Sequence, residues 1–485
     1  MSELLTLEPQ GLWKHFDSIC SIPHPSKHEG KVVDFLVDFA KSHNIEYKID
    51  GTGNVIMRKQ ASKGMENRKG VILQAHIDMV PQKNNDTKHD FLTDPILPRI
   101  DGEWVKATGT TLGADNGIGV SAALAVLEDN SLEHGPIEAL FTIDEETGMT
   151  GAFGLKAGEL NGDILLNLDS ETEGELYVGC AGGIDATITF ECKKEAFDAG
   201  LSAFVLSVKG LKGGHSGMDI ILQRANANKV LFRILRELEQ LGCRLCEING
   251  GSLRNAIPRE AFCTIGIPTA NVAKAKETVQ NMSADIKNEF SAKDGGMQIE
   301  LNPSSAPKEM IDSKTSCNII RAIYACPNGV YRMSDSMENL VETSSNLAIV
   351  KSEGNTVKAC ALLRSSVDTS KTDMANMMAS VVELAGGKIE FTGGYPGWKP
   401  NMQSPILGIM QNTYKKLFGR TPKVMAIHAG LECGLLGGVY KNWDMISFGP
   451  TIKSPHSPDE KVNIDSVKLF WQYLTETLKN VPVKQ

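Results

Sequence analysis

The sequence predicts an α/β fold in two domains, one inserted into the other. Short apolar strands alternate with amphipathic helices from the first residues through Leu168. Three of those strands run straight into polar clusters: His76-Ile-Asp78, Asp144-Glu145-Glu146 and Asp169-Ser-Glu171. After about residue 187 the pattern of strand, helix and strand recurs twice without such clusters, and charged motifs return only in the last segment. Alternating strands and helices imply a sheet with helical layers. Ligand sites in such sheets lie beyond the carboxyl ends of the strands, so residues far apart in sequence can converge there.

The elements follow in chain order. Leu12, Phe16 and Ile19 recur at helical spacing and stop at the proline-rich Ile22-Pro-His-Pro25. A second helix over 29–43 places Val32, Phe35, Leu36 and Phe39 on one face. Glu46–Ile49 and Asn54–Lys59 read as paired strands around Gly51-Thr-Gly53. Val71–Ala75, Ile137–Ile143 and Ile164–Leu168 are short apolar runs with the look of buried strands, and a helix follows Gly117. Then Asp185–Phe190 and Phe204–Val208 read as strands, 225–241 as helix, Ala261–Ile267 as strand and Asn271–Phe290 as helix. The second round comprises strands at Leu347–Lys351 and Thr356–Arg364, a helix over 370–385 and a strand at Lys388–Thr392. The expected domains are 1–186 with 397–485, and an inserted α+β domain, 187–396, of two similar ferredoxin-like halves. Gly393-Gly-Tyr-Pro-Gly397 is the expected hinge back to the first domain.

Composition excludes several classes. The chain has 485 residues, enough for two to four domains at about 150 residues each. A formal charge of -9 without a basic cluster argues against nucleic acid or an anionic membrane as partner. The N-terminus lacks a basic region followed by an apolar core, and no apolar run approaches the roughly 18 residues of a bilayer span. A cytoplasmic protein is expected, with its ten cysteines reduced. Cys243 and Cys246 form a single CxxC with no second pair nearby, so they read as incidental residues of a strand or helix edge.

The chemistry-bearing residues sit in the polar clusters. On a strand, residues two apart point the same way, so His76 and Asp78 can serve one site, the imidazole on a metal and the carboxylate behind it. Glycines crowd Asp115 in Gly113-Ala-Asp115-Asn-Gly117-Ile-Gly119 just before a helix; a carboxylate there can bridge two cations or cap the helix. Glu145 and Glu146 repel one another unless a dication is near, and one can then bind metal while the other handles a proton. Asp169 ends the third strand. His428 and His456 are late imidazoles, the latter in a loop stiffened by Pro450, Pro455 and Pro458. Nitrogen and oxygen donors without thiolate suit zinc, cobalt or manganese, and shared carboxylates suit a pair of ions.

At this point the chain resembles the cytosolic non-specific, or aminoacyl-histidine, dipeptidases of the M20 clan of metallopeptidases. The likeness runs from Ser21-Ile-Pro-His-Pro-Ser26 to Ser457-Pro-Asp-Glu460 and includes Met79-Val-Pro-Gln-Lys-Asn-Asn85. The resemblance implies a phosphorylase/hydrolase-like catalytic domain carrying a lid. It implies two divalent ions, zinc first and cobalt or manganese as alternatives. One would be held by His76, Asp115 and Asp169, the other by Asp115, Glu146 and His456. It makes Asp78 the orienter of His76, Glu145 the general base and acid, and the peptide bond after Asp115 cis. From the lid it implies His215 for the oxyanion, Asn255 near the substrate and Arg364 for a free α-carboxylate, with Gly430 and Glu432 lining the pocket. Thr147 departs from the family's usual Ala, and Met218 is a second departure. The implied reaction is hydrolysis of dipeptides, Xaa-His types included, by a metal-bridged hydroxide. The same ligands would serve another M20-type amide hydrolase, such as an N-acyl amino acid deacylase or tripeptide aminopeptidase, or a non-catalytic metal-binding relative. The expected partner is a small peptide, with no nucleic acid and no membrane. Monomer and homodimer both stay open.

Overall fold

The computed structural model describes residues 2–484. The chain divides into two compact units, one of residues 1–179, 400–426 and 431–485, the other of residues 180–399 and 427–430. Among the described residues no cysteine is in a disulfide and no helix is long and apolar enough to cross a membrane.

The first unit is built on an eight-stranded sheet ordered 46–49, 55–59, 137–142, 71–76, 164–167, 444–447, 175–180, 423–427. The strand Val71–His76 lies between Ile137–Thr142 and Ile164–Asn167 and is parallel to both; Asp444–Ser447 extends the parallel set. These strands are apolar and buried, as strands covered on both faces must be. Their common direction brings His76, the turn after Thr142 and the residues after Asn167 to one sheet edge. The helix Ala114–Glu128 is apolar all round and buried along nearly its whole length. Gly117 opens its regular part, because Asp115 and Asn116 have non-helical dihedrals. A small sheet of 98–101, 104–107, 461–463 and 452–453 carries the late histidine loop.

The second unit holds a nine-stranded sheet ordered 298–303, 201–209, 261–268, 244–250, 341–353, 356–365, 182–191, 388–395, with 329–333 paired to 341–353. It resolves into two β-α-β-β-α-β halves. Strand 201–209, helix 227–239, strands 244–250 and 261–268, helix 272–289 and strand 298–303 form one half. Strand 182–191, helix 313–325, strands 341–353 and 356–365, helix 368–384 and strand 388–395 form the other. Each has the strand order 4-1-3-2 of a split β-α-β, and the two second strands meet through the pairs Asn249–Lys351 and Gly250–Val350.

The halves are not consecutive, as the sequence pattern suggests: one is nested between the first strand and first helix of the other. The reason is the ten-residue antiparallel ladder joining Gly182–Glu191 to Thr356–Ser365. The same ladder holds residues 182–186 in this unit, which begins at residue 180, before 187. The expected hinge is likewise part of the sheet. Its strand runs to Tyr395, which pairs with Gly183, and the Gly397 N–H donates to Asp368. Cys243 and Cys246 are buried at the start of the strand Arg244–Gly250.

Candidate metal centre

All of the residues singled out at strand ends converge in the first unit. His76 closes the strand Val71–His76 and is buried. Its Nδ1 faces the Asp78 carbonyl oxygen at 3.0 Å and the Asp78 carboxylate at 3.4 Å. Its Nε2 faces Asp115 Oδ1 at 3.2 Å and Asp169 Oδ1 at 3.3 Å. The Asp78 carboxylate also receives the N–H groups of Glu145 and Glu146, which donate to its two oxygens at 3.0 and 3.2 Å. It thereby fixes the turn that carries both glutamates.

Asp115 follows Gly113, which adopts φ +71°, a conformation that favours glycine. The peptide bond between Asp115 and Asn116 is cis. The Asn116 amide donates to Asp169 Oδ1, an approach that needs Gly119, where an added Cβ would lie 1.9 Å from Asn116 Oδ1. His456, in a loop with φ +56°, sets its Nε2 3.0 Å from Glu146 Oε2 and 3.4 Å from Asp115 Oδ2.

Ligand-type atoms of His76, Asp115 and Asp169 all lie within 4.8 Å of one another, as do those of Asp115, Glu146 and His456. The two triads share Asp115. A third overlapping group joins His76, Glu145 and Glu146. Oxygen and nitrogen donors of this kind fit zinc, cobalt or manganese. Glu146 Oε1 is buried with no hydrogen-bond partner, a free donor of the sort a cation would occupy.

The electrostatics express the crowding. Burial, reinforced by neighbouring carboxylates, pushes the Glu145 carboxyl well above its ordinary range and raises Asp169 to about 6, against the opposing pull of His76. Burial and the charge on Asp115 raise Glu171 to about 8. Hydrogen bonds to Asp115 and Glu146 raise the His456 imidazole to about 10. Burial works against the charged form of His76, but Asp169, Asp115 and Asp78 hold it well above the ordinary histidine value.

Glu432 belongs to the same neighbourhood. Gln74 Nε2 and Thr142 Oγ1 donate to its Oε2 at 2.6 and 2.9 Å, and its Oε1 is buried without a partner. Burial raises this carboxyl to about 7.

The other expected substrate residues lie in the second unit. His215 pairs with Ala256 beside the loop that carries Asn255. The N–H groups of Gly217 and Met218 donate to its Nδ1 at 3.2 and 3.1 Å, which leaves the ring proton on Nε2. Asn255 is exposed, and its backbone carbonyl accepts from the Ser216 N–H at 2.8 Å. Arg364 is buried; its Nη1 donates to the Tyr395 hydroxyl at 3.1 Å and its Nε has no partner. His428, adjacent to the segment that includes Gly430, shares a 2.7 Å hydrogen bond between Nε2 and Ser344 Oγ, while its Nδ1 is buried and unpartnered. Burial, with Arg364 and His215 close by, lowers His428 to about 3.

Sequence reasoning missed the supports. Glu29 accepts the N–H groups of Lys27 and Asp144, and Glu460 accepts three backbone amides. Both glutamates lie within or next to the motifs that carry the resemblance, so the signal was present, but nothing local tells a supporting carboxylate from a surface one.

The chain matches Peptidase family M20/M25/M40 over residues 72–480. It is 51% identical, over the full length of both chains, to the cytosol non-specific dipeptidase of Escherichia coli strain K12. The crystal structure of an aminoacylhistidine dipeptidase from Vibrio alginolyticus superposes with a TM-score of 0.96 at 52% identity, covering 100% of this chain and 99% of that one. A tripeptidase from Staphylococcus aureus shares the fold, with a TM-score of 0.55 at 16% identity over 98% of this chain and 99% of that one. With the family match spanning most of its length and the polar strand ends gathered at one edge, the chain belongs to the M20/M25/M40 family of peptidases.

Proposed function

We propose that this protein is a dinuclear metallopeptidase that hydrolyses dipeptides. The observation that carries the reading is the pair of triads sharing Asp115, in a chain whose full-length relatives bear dipeptidase names. His76, Asp115 and Asp169 would hold one divalent ion, and Asp115, Glu146 and His456 the other. Zinc suits this donor set first, with cobalt and manganese as alternatives. When bound, the two ions would supply Lewis acidity, acidifying water and polarising a carbonyl.

The protein's own groups do the rest. Asp78 holds His76 through its carbonyl and the Glu145–Glu146 turn through its carboxylate. Glu145, half-buried beside the cluster, takes the proton of the attacking water and returns it to the leaving nitrogen. His215, with its proton on Nε2, is a ready donor to a developing oxyanion. Arg364 offers a planar fork suited to a free α-carboxylate. Asn255, Gly430 and Glu432 complete the proposed substrate contacts, the unpartnered Glu432 Oε1 being an acceptor. With no helix of membrane-spanning character among the described residues and a relative named for the cytosol, the proposed location is the cytoplasm.

The test is a substrate panel on the purified protein loaded in turn with zinc, cobalt and manganese. Ala-Ala and an Xaa-His dipeptide should be cleaved at least about tenfold more efficiently, in kcat/KM, than an N-acetyl amino acid or a tripeptide. A preference for either of the latter would replace the dipeptidase reading with that of another amide hydrolase. Failure to bind two ions would remove the dinuclear mechanism.

A further inference from the structure

Glu460 belongs to neither metal triad, yet it is 2% exposed and carries three backbone amides. The N–H groups of Leu112 and Gly113 donate to its Oε2 at 2.7 and 2.9 Å, and the N–H of Asp115 donates to its Oε1 at 3.2 Å. The carboxylate is therefore wrapped by the segment that delivers Asp115, the residue common to both triads.

Its own backbone is fixed from the opposite direction. The Glu460 N–H donates to the Ser457 carbonyl at 2.9 Å, closing a turn over residues 457–460 that directly follows His456. The next residues, Lys461–Asn463, pair with Trp104–Lys106. Glu460 thus joins two loops that each present a ligand-type side chain, His456 from one and Asp115 from the other. Those side chains come within 3.4 Å of each other. Both loops turn through left-handed backbone, at Gly113 with φ +71° and at His456 with φ +56°.

We infer that Glu460 is a positioning residue, a tie between the Asp115 and His456 loops that sets the spacing of the second metal triad. It plays for Asp115 the part that Asp78 plays for the Glu145–Glu146 turn, a buried carboxylate receiving successive amides. The inference rests on the reading that the triads hold metal, and a supporting group of this kind acts on affinity and turnover through the ligands it holds.

The experiment is calorimetric titration of the metal-free full chain with manganese, alongside kcat and KM on Ala-Ala, for wild type, Glu460→Ala and Glu460→Gln. Glutamine keeps one oxygen for part of the amide set and turns an N–H group toward the remainder. The manganese site of the triad that holds both Asp115 and His456 should weaken by roughly 10- to 100-fold in Glu460→Ala and by less in Glu460→Gln, the other site, which shares Asp115 alone, by a smaller factor. In both variants kcat should fall with KM nearly unchanged, the glutamine variant the milder. Should Glu460→Ala fail to fold, Glu460→Gln decides alone. Wild-type manganese affinity and kcat in the glutamine variant would overturn the tie, as would equal weakening of both sites. A wild type that binds no second ion would instead overturn the metal reading itself, so the two failures are separable.

Discussion

Glu145 and Glu146 are adjacent, yet they sit in different surroundings, and the proposed mechanism gives them opposite work. Glu146 points Oε2 at His456, while Glu145 is half-buried near His76 with its carboxyl pushed well up. Replacing Glu145 by Gln removes the proposed proton carrier while keeping the side chain's shape and the donors of the two triads that share Asp115. The expected result is a fall in kcat of about 10²- to 10⁴-fold with two ions still bound by elemental analysis. Retained turnover would assign the proton to another group. At this scale the sequence is readable where residue type and strand end coincide: donor chemistry singles out His76, Asp115, the Glu145–Glu146 pair, Asp169 and the late histidines, the resemblance selects Glu146 and His456 from among them, and the five meet in space. It was unreadable where a side chain works through backbone it is remote from. Asp78 was expected as the carboxylate behind His76, but the shorter contact to that ring comes from its carbonyl oxygen, and its carboxylate serves residues 67 and 68 positions away. No local pattern encodes which amides a buried carboxylate will receive.

Between elements, one contact outside the metal cluster ties three helices. Glu128, ending the helix Ala114–Glu128, receives Lys14 Nζ at 3.0 Å and His15 Nε2 at 2.7 Å from the helix Gln10–Cys20, and His43 lies 3.4 Å away at the end of Gly30–Ser42. Partial burial opposes ionisation, but these partners hold the Glu128 carboxyl at about 2. A carboxyl depressed in the folded state contributes stability above its ordinary value of about 4.5, and that contribution disappears as the pH falls toward 2. Glu128→Ala should therefore lower stability at pH 7 by about 1 kcal/mol, since solvent screens a partly exposed group. Thermal melts of variant and wild type should draw together below pH 4.5 and converge only as the pH falls through about 2. A gap that persists undiminished in acid would mean that the contact acts by packing and not by charge. Elements of this kind were the most legible part of the chain, because helices such as Gln10–Cys20 and Gly30–Ser42 announce themselves by apolar spacing. The strands Gln298–Pro303 and Arg244–Gly250 did not. The first is mostly exposed on a sheet edge and the second carries alternating Glu247 and Asn249, so neither forms an apolar run. Nesting of one half in the other was illegible for a further reason: pairing between 182–191 and 356–365 spans more than 160 positions, and periodicity carries no information about partners.

For the whole molecule, the division of labour between the two units has a thermodynamic consequence. Every side chain of both metal triads lies in residues 1–179 or 431–485, and none in the unit made of 180–399 and 427–430. An ion that binds only the folded state stabilises what it binds by RT ln(1 + [L]/Kd), about 2.7 kcal/mol at a hundredfold excess over Kd. The sheet core of the second unit, from Ile188 and Phe204 to Val382, is closed without any ligand residue. Metal should therefore raise the melting transition of the first unit by several degrees, since a kilocalorie shifts a unit of this size by roughly 2–4 °C, and leave that of the second where it was. Scanning calorimetry on the intact chain, with chelator and then with added zinc, reads this directly. Chelation should abolish hydrolysis while both transitions persist, and zinc should restore activity together with the upward shift of one of them. A single transition that moves as a block would mean that the units unfold cooperatively. Loss of the first transition under chelator would mean that the metals hold that unit's fold together, with catalysis resting on a structural role.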